Sequence, residues 1–409
     1  MAIGAALEKA VGGATAERPL GATPSDCEQH FVAWSIPESF RFDTESLTPF
    51  IERAIEAVKR DSSPGYPLRR YVATNDQAIS AYRREIVEAV AARLILLSTG
   101  ETIDLSAQAL VQASCRDMVS PFIKNELHPP RKARSGKWRI VQCVSLVDQL
   151  VERVLYSLPV IALKIRYPRS DAVVGIGFTD HMTAEFYDVV MSDMTKDACA
   201  TDVSGWDTTV GASYIEEASE ALIRSCLNPT ERWVRAVRGH VHGLLNPAFI
   251  VPVDGGFEVV SRNRPGGMLS GSFLTTTFNT LARLDVSRLA GSIRCKAAGD
   301  DAIELFPPDV DPVEAYRELG FKLRLEPRDD GFVFCSHLYP HLAPDKAPLL
   351  SWRKAVANFL LLGKPSPEQK VAIRHELRHN PELEWIDGLI DGTTETDDPA
   401  AGTVADKIL

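Results

Sequence analysis

The feature that most constrains this chain is the stretch IRCKAAGDDAIELF, in which Gly299, Asp300 and Asp301 separate two short apolar runs, Ile293 to Ala298 and Ala302 to Phe306. Such runs joined by a Gly-Asp step predict a tight β-hairpin, because Gly and Asp tolerate the backbone angles that the turn demands. Two adjacent carboxylates at its tip repel each other unless a cation neutralises them, and a divalent metal is the natural partner. Taken alone, the tripeptide also reads as an ordinary turn. A second acidic position changes that balance. In CATDVSGWDTTVG a strand-like run ends at Asp202, and Asp207 follows at the start of a helix. If this strand pairs beside the hairpin, Asp202 and Asp300 can share two Mg²⁺ ions as in-line phosphoryl displacement requires. Asp207 by itself reads equally as a helix N-cap.

A third element is NRPGGMLSGSFLTTTFNTLARL. Gly266, Gly267 and Gly271 let the backbone approach a ligand closely before a helix begins, and Ser270, Thr275 and Asn279 offer short hydrogen-bonding groups. Positions 275 and 279 share a helical face and suit a sugar hydroxyl. A Ser-capped helix after a flexible loop is the alternative. Between Lys124 and Arg139 six basic residues face a single acid, Glu126, and two prolines and a glycine interrupt the run. It therefore predicts a basic loop or ribbon shaped around a polyanion, or else a solvated basic loop, rather than one amphipathic helix.

The 409 residues carry a net charge of −10, which argues against a generally basic nucleic-acid coat, yet eight acids and one base lie between Asn380 and Leu409. That terminal segment reads as a solvated, partly disordered tail. Seven dispersed cysteines without a CxxC pair read as reduced, mostly buried thiols. No apolar run is long enough to span a membrane, and the start lacks the pattern of a secretory signal. Helical periodicity is expected over 47–60, 81–97, 269–289 and 367–378. After Asp207, Tyr214, Ala218, Leu222 and Cys226 fall four apart on one face. Strands are expected over 138–144, 198–203, 249–253, 293–298, 302–306 and 331–335, which makes an α+β protein.

In chain order, these segments resemble the palm motifs of viral RNA-dependent RNA polymerases. Asp202 with Asp207 looks like motif A, Ser270, Gly271, Thr275 and Asn279 like motif B, and Gly299, Asp300 and Asp301 like motif C. Lys124, Glu126, Lys132, Lys137 and Arg139 resemble motif F, Ser62 to Pro67 is similar to motif G at the template entrance, and FCSHLY, Phe334 to Tyr339, looks like motif E. The phrases SGWD, SGSFLTTTFN, AAGDDAIE and FCSH are closest to the sobemovirus and polerovirus group, although Thr208 stands where an aromatic residue often follows the motif A aspartate.

The resemblance implies a right-hand fold of fingers, palm with an antiparallel sheet, and small helical thumb. Residues 1–190 would form an N-terminal extension and fingers, 191–212 palm, 213–261 a fingers insertion, 262–340 palm, and 341–409 thumb and acidic tail. It implies template-directed RNA synthesis with Mg²⁺, for which Mn²⁺ can substitute, held by Asp202, Asp300 and Asp301. Asp207, Ser270, Thr275 and Asn279 would read the ribose, and Lys124, Lys132, Lys137 and Arg139 the triphosphate. Ser62, Ser63, Gly65, Pro67 and the three motif B glycines would line the template channel, with Cys335 and Ser336 gripping the primer.

The resemblance also implies a lysine general acid between motifs C and E, where Lys322 is the one lysine; Arg317 and Arg324 are poorer proton donors. Glu126 is expected to order the basic loop by internal pairing. Expected partners are single-stranded RNA template, nascent RNA and NTPs, with room for a protein primer and other viral replication proteins. The expected location is the host-cell cytoplasm, with partners carrying the chain to replication membranes. Competing readings are a reverse transcriptase, which Gly299-Asp300-Asp301 in place of an aromatic-x-Asp-Asp turn and Asn279 together with Asp207 disfavour, a silent RNA-binding scaffold, and a two-metal nuclease.

Overall fold

Cys199–Val203 is strand β3 of the structure, a computed structural model that describes residue 8 and residues 11–124, 126–127, 134, 138–194, 198–363 and 365–392. Before it come helices α1 (Thr44–Glu56), α2 (Asn75–Leu97) and α3 (Ala107–Gln112), strands β1 (Ser120–Ile123) and β2 (Ile140–Cys143), and helices α4 (Leu146–Lys164) and α5 (Asp180–Met194). After it come α6 (Ala212–Arg224), α7 (Glu231–Leu245), β4 (Ala248–Val253), β5 (Gly256–Ser261) and α8 (Thr275–Leu289). Then follow β6 (Arg294–Ala298), β7 (Asp301–Leu305), α9 (Pro312–Glu318), β8 (Leu323–Glu326), β9 (Gly331–Phe334) and β10 (His337–Pro340). Helices α10 (Trp352–Leu360), α11 (Pro367–Leu377) and α12 (Leu383–Gly392) complete the described chain.

The expected hairpin forms: β6 and β7 pair antiparallel with Ala298 opposite Asp301, so Gly299 and Asp300 are its two turn residues. The sheet order is β6-β7-β3-β8, which places β3 in the interior, with antiparallel neighbours on both sides. Helix α8 packs on β6 and on α6. The face formed by Tyr214, Ala218, Leu222 and Cys226 is buried, as its four-residue spacing predicts. The expected boundary at residue 213 falls inside α6, which packs on α8, on α7 and on the Cys27–His30 turn.

The main core joins α1, α2, α4, α6, α7 and α8 with the sheet. A second core, Val173, Phe186, Val190, Met194, Ile303, Phe332, Phe334, Tyr339 and Ala347, seats the β9–β10 hairpin on α5. A third holds α10 to α12 together, and Leu127 packs against it from the far end of the β1 strand's extension. The described part of the acidic end, residues 380–392, carries a helix that the sequence reading did not anticipate. Helix α12 buries Ile386 and Ile390, and Arg374 bonds Asp387 at 3.0 Å and Asp391 at 2.6 Å. Residues 393–409 lie outside the described chain, as do Lys132 and Lys137.

Candidate active site

Strand β3 brings the first acid to the hairpin. Its register with β7 runs from Cys199↔Glu304 to Thr201↔Ala302, and Asp202 and Asp301 are the residues just past that last pair, near enough for Asp202 to act on the Asp301 carboxyl. Gly299 adopts φ +68, the left-handed value that glycine supplies at such a turn. Burial and the neighbouring Asp202 raise the carboxyl pKa of Asp300. Burial, Asp300, Asp202 and Glu326 push that of Asp301 up to about 6. Oxygen donors whose shared negative charge is disfavoured in this way fit a hard divalent cation. They do not yet converge: among the described residues, no three His, Cys, Asp or Glu side chains are gathered to hold an ion. Arg324, opposite Asp202 on β8, places its Nη2 3.4 Å from Asp202 Oδ2.

The structure joins motif A to motif B directly. Asn279 Nδ2 donates a 2.8 Å hydrogen bond to Asp207 Oδ1, while Asn279 Oδ1 is buried without a partner. Burial pushes the Asp207 carboxyl up to about 6 although the Asn279 bond and the fields of Arg139 and Arg262 favour its charged form. Arg139 therefore acts on both Asp207 and Asp300, at the end of the β1–β2 ribbon that the Lys124 N–H to Arg139 carbonyl bond extends. Thr275 is less free than its spacing suggested, because its hydroxyl is bonded to the Leu269 and Ser272 carbonyls at 2.8 Å. Ser270 is exposed and accepts from the Gln142 N–H at 3.1 Å.

The motif B glycines approach this chain's own backbone, which corrects the expectation of a ligand there. A Cβ at Gly271 would sit 2.3 Å from the Gln142 carbonyl, one at Gly267 2.8 Å from that of Asp207, and one at Gly266 2.7 Å from the Ala212 nitrogen. The Gly267 and Met268 N–H groups donate to the Val210 and Asp207 carbonyls at 2.7 and 2.9 Å, fastening motif B to the turn after motif A. Gly65 does the same against Ser145 and Val144, and the Ser62 and Pro64 carbonyls accept from Asn75 and Leu146. Ser63 Oγ accepts from the Gly65 N–H at 3.4 Å, and Pro67 leads into Arg69 and Arg70.

Cys335 and Ser336 form the β9–β10 turn at φ +49 and +63, and burial with the nearby Asp301 and Asp300 raises the Cys335 thiol pKa, so this turn borders the acids. Lys322 is exposed at the start of β8, its carbonyl accepting from the Ser204 N–H at 3.0 Å. Arg317 pairs with Glu314 on α9, and Arg324 faces Asp202 as an ion-pair partner.

Glu126 pairs internally with Lys124 at 3.2 Å, as expected, and also reaches Lys354 of α10 at 2.9 Å. Burial raises its carboxyl pKa, and Lys354 and Lys124 more than reverse that shift. The adjacent Leu127 N–H donates to Asn358 Oδ1 at 3.0 Å.

Sequence reasoning missed three residues. Half-buried Arg262 donates to the Gly266 and Gly267 carbonyls. Glu152, fully buried on α4, accepts from Ser272 Oγ at 2.9 Å and the Phe273 N–H at 2.7 Å, and so anchors the start of α8. Arg283 lies beneath the hairpin. The one legible signal, for Arg262, was its place four residues before a Gly-Gly pair.

The family model for viral RNA-dependent RNA polymerase matches residues 41–339. Replicase polyprotein P2AB of Southern cowpea mosaic virus is 29% identical over 360 residues, 84% of this chain and 36% of that protein, so the chain spans about a third of such polyprotein relatives. An RNA-directed RNA polymerase of Mushroom bacilliform virus is 29% identical over 344 residues, covering 78% of this chain and 80% of that one. The solved Sicinivirus 3Dpol RNA dependent RNA polymerase superposes with a TM-score of 0.58 over 93% of both chains at 13% identity, which bears out the right-hand fold. The arrangement of the acids, the motif order and these matches agree: the chain belongs to the viral RNA-dependent RNA polymerase family, and its relatives include those of sobemoviruses and poleroviruses.

Proposed function

We propose that the chain performs template-directed RNA synthesis for viral genome replication and transcription, transferring a nucleotide from an NTP to an RNA 3′-hydroxyl. The observation that carries this reading is that Asp202 and Asp301 directly follow and precede the last paired residues of β3 and β7, Thr201 and Ala302, with Asp300 at the turn and Asn279 bonded to Asp207. Two Mg²⁺ ions, or Mn²⁺, would be held by these three acids and would supply activation of the 3′-hydroxyl and charge stabilisation at the α-phosphate and leaving pyrophosphate.

The chain's own groups do the rest. The orphan Asn279 Oδ1 accepts the 2′-hydroxyl hydrogen of a ribonucleotide, and Asp207 fixes the amide that presents it. Arg139 and Lys124 clamp triphosphate oxygens. A cavity of about 840 Å³ lined by Tyr66, Arg69, Arg70, Phe122 and Phe257 combines stacking faces with cations, and supports a path for single-stranded template. Lys322 is the proposed proton donor to pyrophosphate. Other products of a polyprotein would be its partners, a protein primer among them, in the host cytoplasm at replication membranes.

The test is nucleotide incorporation on a homopolymer template, with and without an oligonucleotide primer and with NTPs against dNTPs. Wild type is expected to incorporate NTPs only with Mg²⁺ or Mn²⁺, and Asp300→Ala to fold but fall to background. RNA binding without metal-dependent incorporation, with Asp300→Ala equal to wild type, would establish the scaffold reading instead.

A further inference from the structure

Arg283 is fully buried, yet every N–H of its guanidinium has an acceptor. Nε donates to the Asp300 carbonyl at 3.2 Å. Nη2 donates to Thr201 Oγ1 at 2.7 Å and to Glu304 Oε2 at 2.9 Å, and Nη1 reaches Tyr316 Oη and Glu304 Oε1. Tyr316 in turn donates to Glu304 Oε1 at 2.7 Å, and Thr201 to Glu304 Oε2 at 2.5 Å. Thr201 immediately precedes Asp202, and Asp300 immediately precedes Asp301. One side chain of α8 thus bonds to a residue next to, or part of, each acidic position. One turn earlier, Thr280 Oγ1 accepts the Gly299 N–H at 2.7 Å, a second bond from the same helix to the same turn.

A buried guanidinium is costly to desolvate, and an apolar substitute of similar volume often serves stability as well. What an apolar side chain cannot do is fix the relative height of two strands through five directed bonds. We propose that Arg283 is a positioning residue for the acid cluster, setting the Asp300 turn against the end of β3 so that Asp202, Asp300 and Asp301 can close on one pair of ions. The inference rests on the metal-centre reading given above and adds to it the part that spaces the ligands.

Arg283→Lys keeps the charge facing Glu304 but cannot serve Asp300, Thr201 and Tyr316 together. The measurements are Mn²⁺ binding by electron paramagnetic resonance, on metal-stripped full-length protein with template-primer RNA and no nucleotide, and the thermal unfolding midpoint. The Mg²⁺ concentration for half-maximal incorporation is read in parallel. A folded Arg283→Lys is expected to bind Mn²⁺ at least fivefold more weakly and to need correspondingly more Mg²⁺, with its NTP KM at saturating Mg²⁺ within twofold of wild type. Wild-type Mn²⁺ affinity alongside a lowered midpoint would mean that Arg283 only supports the fold, and overturns the proposal.

If Arg283→Lys does not fold, Tyr316→Phe decides. It removes one hydroxyl from the network; a twofold or greater loss of Mn²⁺ affinity supports the proposal and an unchanged affinity overturns it. Asp300→Asn separates the two levels. If it too binds Mn²⁺ like wild type, the metal-centre reading has failed and this one with it, whereas loss in Asp300→Asn alone refutes only the role of Arg283.

Discussion

Replacing Asn279 with alanine is expected to reduce the preference for ribonucleotides over deoxyribonucleotides by about 10- to 100-fold. The magnitude comes from two groups of one amide. Nδ2 holds Asp207 at 2.8 Å, and a hydrogen bond to a charged acceptor contributes about 1.5–3 kcal/mol. Oδ1 is buried and unpartnered, so a 2′-hydroxyl fills an acceptor that water cannot easily reach, and a deoxyribose leaves it empty. About 1.4–2.8 kcal/mol of lost ribose-specific binding corresponds to one to two decades in kcat/KM. The assay is single-nucleotide extension with ATP and dATP: kcat/KM for ATP should fall by that factor while dATP stays within threefold.

Acidity adds a second reading of the same pair. Asp207 titrates near pH 6, about two units above an ordinary aspartate, so it gains protons between pH 8 and pH 6 where most carboxylates stay charged. The ratio of ATP to dATP use should therefore drop about twofold over that interval in wild type, and not in Asn279→Ala. Taking the ratio cancels effects common to both nucleotides. If dATP use falls as far as ATP use in Asn279→Ala, the amide shapes the whole site and the ribose argument is refuted.

Gly271→Ala forces a Cβ to within 2.3 Å of the Gln142 carbonyl and should destabilise by about 1–3 kcal/mol, seen as a lowered unfolding midpoint together with reduced incorporation. Lys354→Met removes a partly exposed cation from Glu126, whose own side chain is only 7% exposed; RNA should leave the complex about fivefold faster in a competitor-trap assay at low salt. An unchanged dissociation rate would show that contact to be idle. Ser336→Gly relieves a left-handed φ of +63 and should raise the unfolding midpoint, by about 1 kcal/mol of stability.

The parts of this fold legible in the sequence are those in which local chemistry and tertiary role agree. The hairpin at Gly299 and Asp300 needed its turn residues wherever it sat, and the Tyr214 face is buried because one side of α6 meets one neighbour. Helix α7 was not anticipated, and it carries Gly239 and Gly243, residues of low helix propensity. In fact a Cβ at Gly239 would lie 2.4 Å from Thr102 Oγ1, so the glycine admits a neighbour rather than ending a helix. Helix α4 was hidden by Asp148 and Glu152, whose partners Arg93 and the Phe273 N–H are remote in sequence. The acidic triplet of the site was legible because repulsion between neighbours can be read from spacing. Arg283 was not, since its acceptors come from β3, the Asp300 turn, β7 and α9 and no spacing relates them.

The bonds from Glu126 and Leu127 to α10 tie the residues that follow β1 to the terminal helices, 228 and 231 positions away in sequence. Two segments that far apart in the chain are held as one, so a change that loosens α10 is felt at the end of the β1–β2 ribbon as well.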